Sequence, residues 1–319
     1  MMESNHHSHN QRIKSAMLPE GTEKVYDFCF RCCFSLVQVH LPDTIIEIGN
    51  YSFFKCNSLK SIQFPDNLKH IGNYAFYGCS QISELFFPDS LEVIDSNAFS
   101  KCTSLLSVDF SENLTKIGDL SFSECNNLDN VKIPNKVNEI GNYTFWGCTR
   151  LSNLEISDNV KSIGDGCFFR CSSLKRIDIP KSVNKINRYA FANCKSLTTV
   201  NFPNSIVEIS QGSFDECTSL KDVQLPLSLK TISQGAFYKC FSLSEIKIPK
   251  NVTQISNFAF FRCQSLLFIT LACLDTKIEH LSFPYWSKIQ YEKWIYIIKI
   301  VFNLLKIWTI NLSWNRYCD

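Results

Sequence analysis

Three groups of residues have types and spacings that could do chemistry. The first is a series of cysteines, Cys33, Cys56, Cys79, Cys102, Cys125, Cys148, Cys171, Cys194, Cys217, Cys240 and Cys263, at a constant step of 23 residues. Zinc needs about four ligands converging on one point, whereas this series offers one sulfur per period along a line. Disulfides need Cα pairs within about 7 Å. Neighbouring periods could meet that distance, but an odd-numbered row cannot pair throughout. A free cysteine packs as a small hydrophobe, and packing is the reading adopted for the series. The second group is Cys29, Cys32 and Cys33. A lone C-x2-C is a weak redox or metal signal. Cys32 occupies a slot held elsewhere by Lys, Gly, Glu or Arg, so it is expected to face solvent. The third group, His6, His7 and His9, lies in a polar stretch expected to be solvated. His40, His70 and His280 are scattered, with no Ser/His/Asp arrangement. No catalytic, cofactor-binding or metal-ligating residue is assigned, and no cofactor is expected.

The elements that position these residues follow from the same period. Three residues before each cysteine stands a phenylalanine, from Phe30 to Phe260, and Phe283 continues the column. Leu36, Leu59, Ile82 and their successors come three residues after the cysteine, and Ile48 to Ile255 come fifteen after. One unit reads C-x2-L-x2-I-x-F-P-x2-L-x2-I-G-x2-A-F-x2-C, and residues 11–286 hold 12 units of 23. A gapless period means that each unit is one coil of a solenoid, because an insertion would move every later side chain off its column. Stacked coils bury apolar columns that no single coil could bury. L-x2-I-x-F ends in period-two alternation and reads as a short strand. Pro42, Pro65, Pro88 and their equivalents end ladder pairing there. The column Gly49, Gly72, Gly118, Gly141 and Gly164 reads as a turn. A-F-x2-C suits a single helical turn. Parallel stacking at about 4.8 Å gives an array roughly 55 Å long.

The unit resembles the leucine-rich repeats of the BspA-like, Treponema pallidum type, which share this Leu, Ile, Pro, Leu, Ile-Gly, Ala-Phe, Cys order. The resemblance covers residues 11–286. It implies a solenoid with a binding or adhesive role, in a family that includes surface-antigen-like proteins, and it supplies no catalytic residues. Pattern and resemblance together give an α/β repeat solenoid of about 12 units with one parallel strand per unit. The expected divisions are a disordered 1–10, the solenoid 11–286, and an apolar, helical tail 287–319.

Composition limits the function classes. Lys+Arg is 32 against Asp+Glu 30, which excludes a broad basic surface. No stacked basic and aromatic columns suit nucleic acid, and none is expected as partner. A protein ligand is the expected partner, on the outward side of the strands. Candidate contacts there are Glu84, Phe86, Asp109, Lys132, Glu155, Arg176 and Asp178. Most outward residues are polar with both signs interspersed, which suits a solvated sheet face and a docking surface equally. Phe86 is the bulky apolar exception inside the array.

The first residues carry no apolar signal-peptide core, which points to the cytoplasm and reduced thiols. The family resemblance points instead to the cell surface. Residues 294–312 are strongly apolar but carry Lys299, Asn303 and Lys306. Their spacing of four and three lines one face of a helix. A helix capping the array, a helix on a membrane surface, and a membrane span anchoring a surface antigen all remain open.

Overall fold

The computed structural model describes residues 8–291. The segment 294–312 lies outside them, as do residues 1–7. Each coil has three sides. The first carries strands of three or four residues, from Ser15–Met17 through Glu84–Phe86 and Arg176–Asp178 to Lys288–Tyr291. The second carries two-residue strands, from Lys24–Val25 to Lys277–Ile278. The third is a turn edge that contains the phenylalanine and cysteine columns. All strand pairs are parallel, and Lys24 opposite Glu47 or Asn130 opposite Asn153 show the 23-residue register. The result is a parallel-strand solenoid of about 12 turns.

Two expectations are corrected. There is no helix among the described residues, so the α/β label does not hold. Most units also carry two strands where one was expected, the unit of His70–Ile71 having only that one. The hydrogen bonds explain the missing helix. On the turn edge the amides of Phe28, Phe30 and Cys32 donate forward to the carbonyls of Asn50, Ser52 and Phe54 in the next coil, at 2.7–2.9 Å. The alternate amides of Cys29, Arg31 and Cys33 donate back three residues, at 3.1–3.2 Å. An α-helix would need every amide for a carbonyl four residues back. Here every second amide serves the neighbouring coil instead.

This alternation places two residues per unit in the left-handed region. Tyr51 and Lys55 have φ of 54° and 58°, and Tyr143, Tyr189, Glu124 and Arg170 repeat the pattern. Such φ values are uncommon outside glycine. The forward bonds at both positions hold them there. The glycine column does something different. Gly118 does not have a positive φ, but a Cβ on it would lie 2.6 Å from the Asp95 carbonyl carbon and the Ser96 nitrogen. These glycines allow close approach of adjacent coils.

Inside, the rings from Phe30 to Phe283 form one continuous stack. Adjacent centroids are 5.0–5.8 Å apart and planes differ by 2–15°. Phe64, Phe87 and Phe110 meet this stack edge-on. After the first strand, Pro42 and its equivalents accept an amide three residues on, as Ile45 donates to Pro42 at 3.1 Å. That turn hands the chain to the two-residue strand, whose isoleucine points inward and is buried. Side chains brace the next corner. Asp27 Oδ1 accepts the Asn50 amide, and Asn50 Oδ1 accepts the Asn73 amide, both at 2.8 Å. Residues 288–291, within the span expected to be tail, form the last strand and pair with Phe268–Leu271.

Two stability outcomes follow. Phe145 is fully buried between Phe122 and Phe168, so Phe145→Ala should lower unfolding free energy by about 3–5 kcal/mol. A urea titration showing a loss below about 1 kcal/mol would contradict the stack as core. Ser121 is fully buried and its hydroxyl has no partner. Other units put Ala75, Ala98 or Ala190 in the same column. Ser121→Ala should therefore raise stability by about 1–2 kcal/mol in the same titration, and a loss would contradict the unpaired hydroxyl.

Candidate binding surface

The thiols are structural. Each ladder Sγ lies against the carbonyl of the phenylalanine 26 residues earlier, from Cys56 to Phe30 at 3.1 Å through Cys263 to Phe237 at 3.1 Å. That carbonyl also accepts the cysteine amide of its own unit. The thiol thus gives a second donor to a buried carbonyl that water cannot reach. Burial pushes the Cys125 and Cys194 thiols up to about 12. The cysteines in the described residues are all unbridged. Among those residues no three His, Cys, Asp or Glu side chains converge to hold a metal. Cys32, expected to face solvent, is buried instead at 8% exposure. The entering segment crosses there, with the His9 amide on the Arg31 carbonyl at 2.7 Å, and a thiol is too short to reach past it.

The residues singled out on the first strand face lie on one surface, all exposed. Glu84 and Phe86 share the strand Glu84–Phe86, with Phe86 opposite Asp109 and 64% exposed. Lys132 lies opposite Glu155 in the same sheet and reaches Glu112 at 3.7 Å. Arg176 and Asp178 begin the next sheet and bind each other at 3.0 Å. The array therefore brings these side chains onto one face, across two successive sheets. Farther along this face, where Asp222–Gln224 and Glu245–Ile248 belong to separate sheets, a recess of about 920 Å³ is lined by Lys221, Leu227, Glu245 and Lys247.

Two further surfaces escaped the sequence reading. The two-residue strands carry a charge ladder. Lys24 meets Glu47 at 2.8 Å, His70 meets Asp95 at 2.7 Å, and Lys116 meets Asp95 at 2.7 Å. Asp95 is partly desolvated, but the hydrogen bonds from Lys116 and His70 win and hold its carboxyl below the usual range. The turn edge carries two outer aromatic columns. Phe28, Tyr51 and Tyr74 stack at 5.2 and 4.7 Å, and Phe54 stacks on Tyr77 at 5.0 Å. Cations lie over these rings, with Arg31 5.6 Å from Phe28 and Lys101 5.6 Å from Tyr77. The 23-residue period carries that signal too, in columns five and two residues before each cysteine.

Comparison with known proteins agrees with this architecture. The BspA type leucine rich repeat region, in six copies, matches residues 23–152 and 138–267. A leucine-rich repeat protein from Bacteroides ovatus is 27% identical, with a TM-score of 0.74, covering 90% of this chain and 85% of that one. A leucine rich cell surface protein from Faecalibacterium prausnitzii is 28% identical, with a TM-score of 0.56 and 88% of each chain covered. A leucine-rich repeat protein from Eubacterium ventriosum, 22% identical with a TM-score of 0.57 over 89% of this chain and 86% of that one, shares the fold. No curated protein matches the chain.

The thiol ladder has a direct check. At pH 8 a maleimide should modify the half-buried Cys273 quickly, and Cys125, Cys148 and Cys194 only as fast as the chain unfolds. Rapid labelling of the ladder, mapped by mass spectrometry, would contradict its burial.

Proposed function

Because the chain belongs to the BspA-type leucine-rich repeat family, we propose that it is a non-enzymatic scaffold whose first strand face docks a protein partner. The observation that carries this reading is the strand ladder itself. Glu84, Asp109, Lys132 and Glu155 are held in register on one sheet with the exposed ring of Phe86 on its edge strand, and Arg176 and Asp178 continue the face in the next sheet. A stable interface takes about 800 Å² from each partner, with aromatic and arginine anchors inside a polar rim. A rigid face with one aromatic among alternating charges supplies both parts. It also loses little entropy on binding, since the strands are already ordered. The likeness to the Faecalibacterium cell surface protein supports a place at the cell surface for this scaffold.

The test compares two faces of the intact chain. A double variant, Phe86→Ala with Arg176→Glu, alters the proposed face. Lys185→Glu alters the two-residue-strand face. Partners identified by surface crosslinking to the full chain, and then bound without crosslinker, should dissociate about thirtyfold faster from the double variant, the effect of losing one hot spot of roughly 2 kcal/mol. Lys185→Glu should leave them unchanged. Equal retention by both variants, with circular dichroism matching the parent chain, would overturn the assignment.

A further inference from the structure

We propose that a recess at Gly235 on the turn edge is a slot for the guanidinium of an arginine side chain presented by a protein. It lies on a different side of the coil from the strand face and does not depend on that face binding anything.

The slot is a missing ring. The outer aromatic column five residues before each cysteine contains Tyr143, Gly166, Tyr189, Gly212, Gly235 and Phe258. Only at Gly212 and Gly235 does it lose two side chains in succession. The Tyr189 ring leans over Gly212, where an added Cβ would come within 3.0 Å of the Tyr189 Cζ. At Gly235 the space is open, with nothing nearer to an added Cβ than the Tyr238 Cβ at 3.8 Å. One ring's worth of room is thus left between Tyr189 and Phe258. The recess measures about 320 Å³, and Tyr238 and Phe261 complete its aromatic walls. Elsewhere in this column rings stack at 4.7 and 5.2 Å, so a flat group at Gly235 would find faces at stacking distance.

The charge of the slot selects a cation. Asp215 stands in the second outer column, where other units place Phe54, Tyr77, Phe169 or Tyr238. Its Oδ1 is buried and has no hydrogen-bond partner. The nearby cation is already engaged, since Lys239 binds Glu216 at 2.5 Å and lies 5.1 Å from the Tyr238 ring. Burial, then the Glu216 charge, push the Asp215 carboxyl up to about 6, against the pull of Lys239 and the Glu216 amide. It remains mostly ionised at neutral pH. A desolvated carboxylate oxygen without a donor is unfavourable, and a cation placed against it and between rings is favoured twice. Guanidinium fits better than ammonium, because it is planar, weakly hydrated and stacks on aromatic faces. The same edge already uses this contact within the chain, with Arg170 5.8 Å from Phe169 and Arg262 5.9 Å from Phe261.

The test titrates the full-length chain with N-acetyl-arginine amide, followed by tyrosine fluorescence and NMR line shifts. The neutral isostere N-acetyl-citrulline amide and N-acetyl-lysine amide serve as competitors. Saturable binding of the arginine probe is expected, with citrulline and lysine probes each about tenfold weaker, a difference of roughly 1.4 kcal/mol. Asp215→Asn should weaken the arginine probe by about the same factor. Gly235→Tyr should abolish binding by filling the slot. It should still fold, because Tyr189 and Phe258 adopt φ of 55° and 61° in the same column against 62° at Gly235. Phe86→Ala should bind the probe unchanged, which separates this slot from the strand face. Equal binding by citrulline or by Asp215→Asn would overturn the charge assignment, and equal binding by lysine would overturn guanidinium. Absence of saturable binding to the unaltered chain would overturn the slot.

Discussion

On the turn edge, every second backbone amide reaches forward to the next coil. The other features of the array depend on this one pattern. Forward donation sets the rise between coils, and the rise puts the phenylalanine rings at 5.0–5.8 Å, within the range for offset stacking. It winds the segment so that phenylalanine and the small residue before it both face inward, while the tyrosine and lysine columns flanking the pair stay outside. It also forces non-glycine residues into the left-handed region, a strain of about 1–3 kcal/mol each when unsupported. Two of the three forward bonds per unit are made by those same residues. A strained position is therefore tied directly to the bond that compensates it.

The cysteine column follows from the same geometry. A phenylalanine carbonyl that accepts its own unit's amide keeps a second lone pair in a dry interior. The next unit must offer a donor small enough to sit beside the ring stack. A thiol does this at 3.1–3.4 Å while still packing as an apolar group. In the small-residue column a hydroxyl finds a carbonyl in some coils only, as Thr144 Oγ1 donates to Gly141 at 2.9 Å and Ser282 Oγ to Ser256 at 3.1 Å. Ser52, Ser121 and Ser213 are left unpaired, and alanine fits elsewhere. The two buried columns thus differ: one carries a thiol donor in coil after coil, and the other accepts an alanine with no donor at all.

The buried columns were legible because a gapless period repeats each environment, so identical side chains recur wherever the interior tolerates few others. Phe145 or Ile140 could be placed from spacing alone. The hydrogen-bond pattern of the turn edge could not. Apolar residues one and four apart satisfy a helical turn as well as the alternating arrangement, and side-chain type does not show where an amide points. The second strand was hidden for a different reason: two residues such as Glu47–Ile48 are too short to show alternation. Cys32 departs from expectation because the long side chains of its column, such as Lys55 and Arg170, are exposed, whereas the entering segment covers the first coil. The strand-face candidates were placed by alternation, which fixes the side they face but says nothing about what meets them. The slot at Gly235 went unseen because it is defined by a missing side chain. A glycine in an aromatic column reads as variation until the neighbouring rings are seen to leave room.

The last described coil shows what sustains the period. Phe283 still stacks on Phe260 at 5.2 Å, so the interior column survives into this unit. Trp286 occupies the cysteine slot and Ala272 the proline slot. An indole cannot sit beside the ring stack as a thiol does, and it is 37% exposed. Alanine does not impose the proline turn. The strand Lys288–Tyr291 then pairs with Phe268–Leu271 at a step of 20 residues, with Phe268 opposite Lys288. A coil three residues short keeps its strand columns in part: Tyr291, opposite Leu271, still packs against the core, while Ile289, in a strand position that is buried as Ile246 and Ile269 in the coils before it, is 45% exposed. Backbone pairing thus tolerates a 20-residue step in a coil whose cysteine and proline slots have already changed.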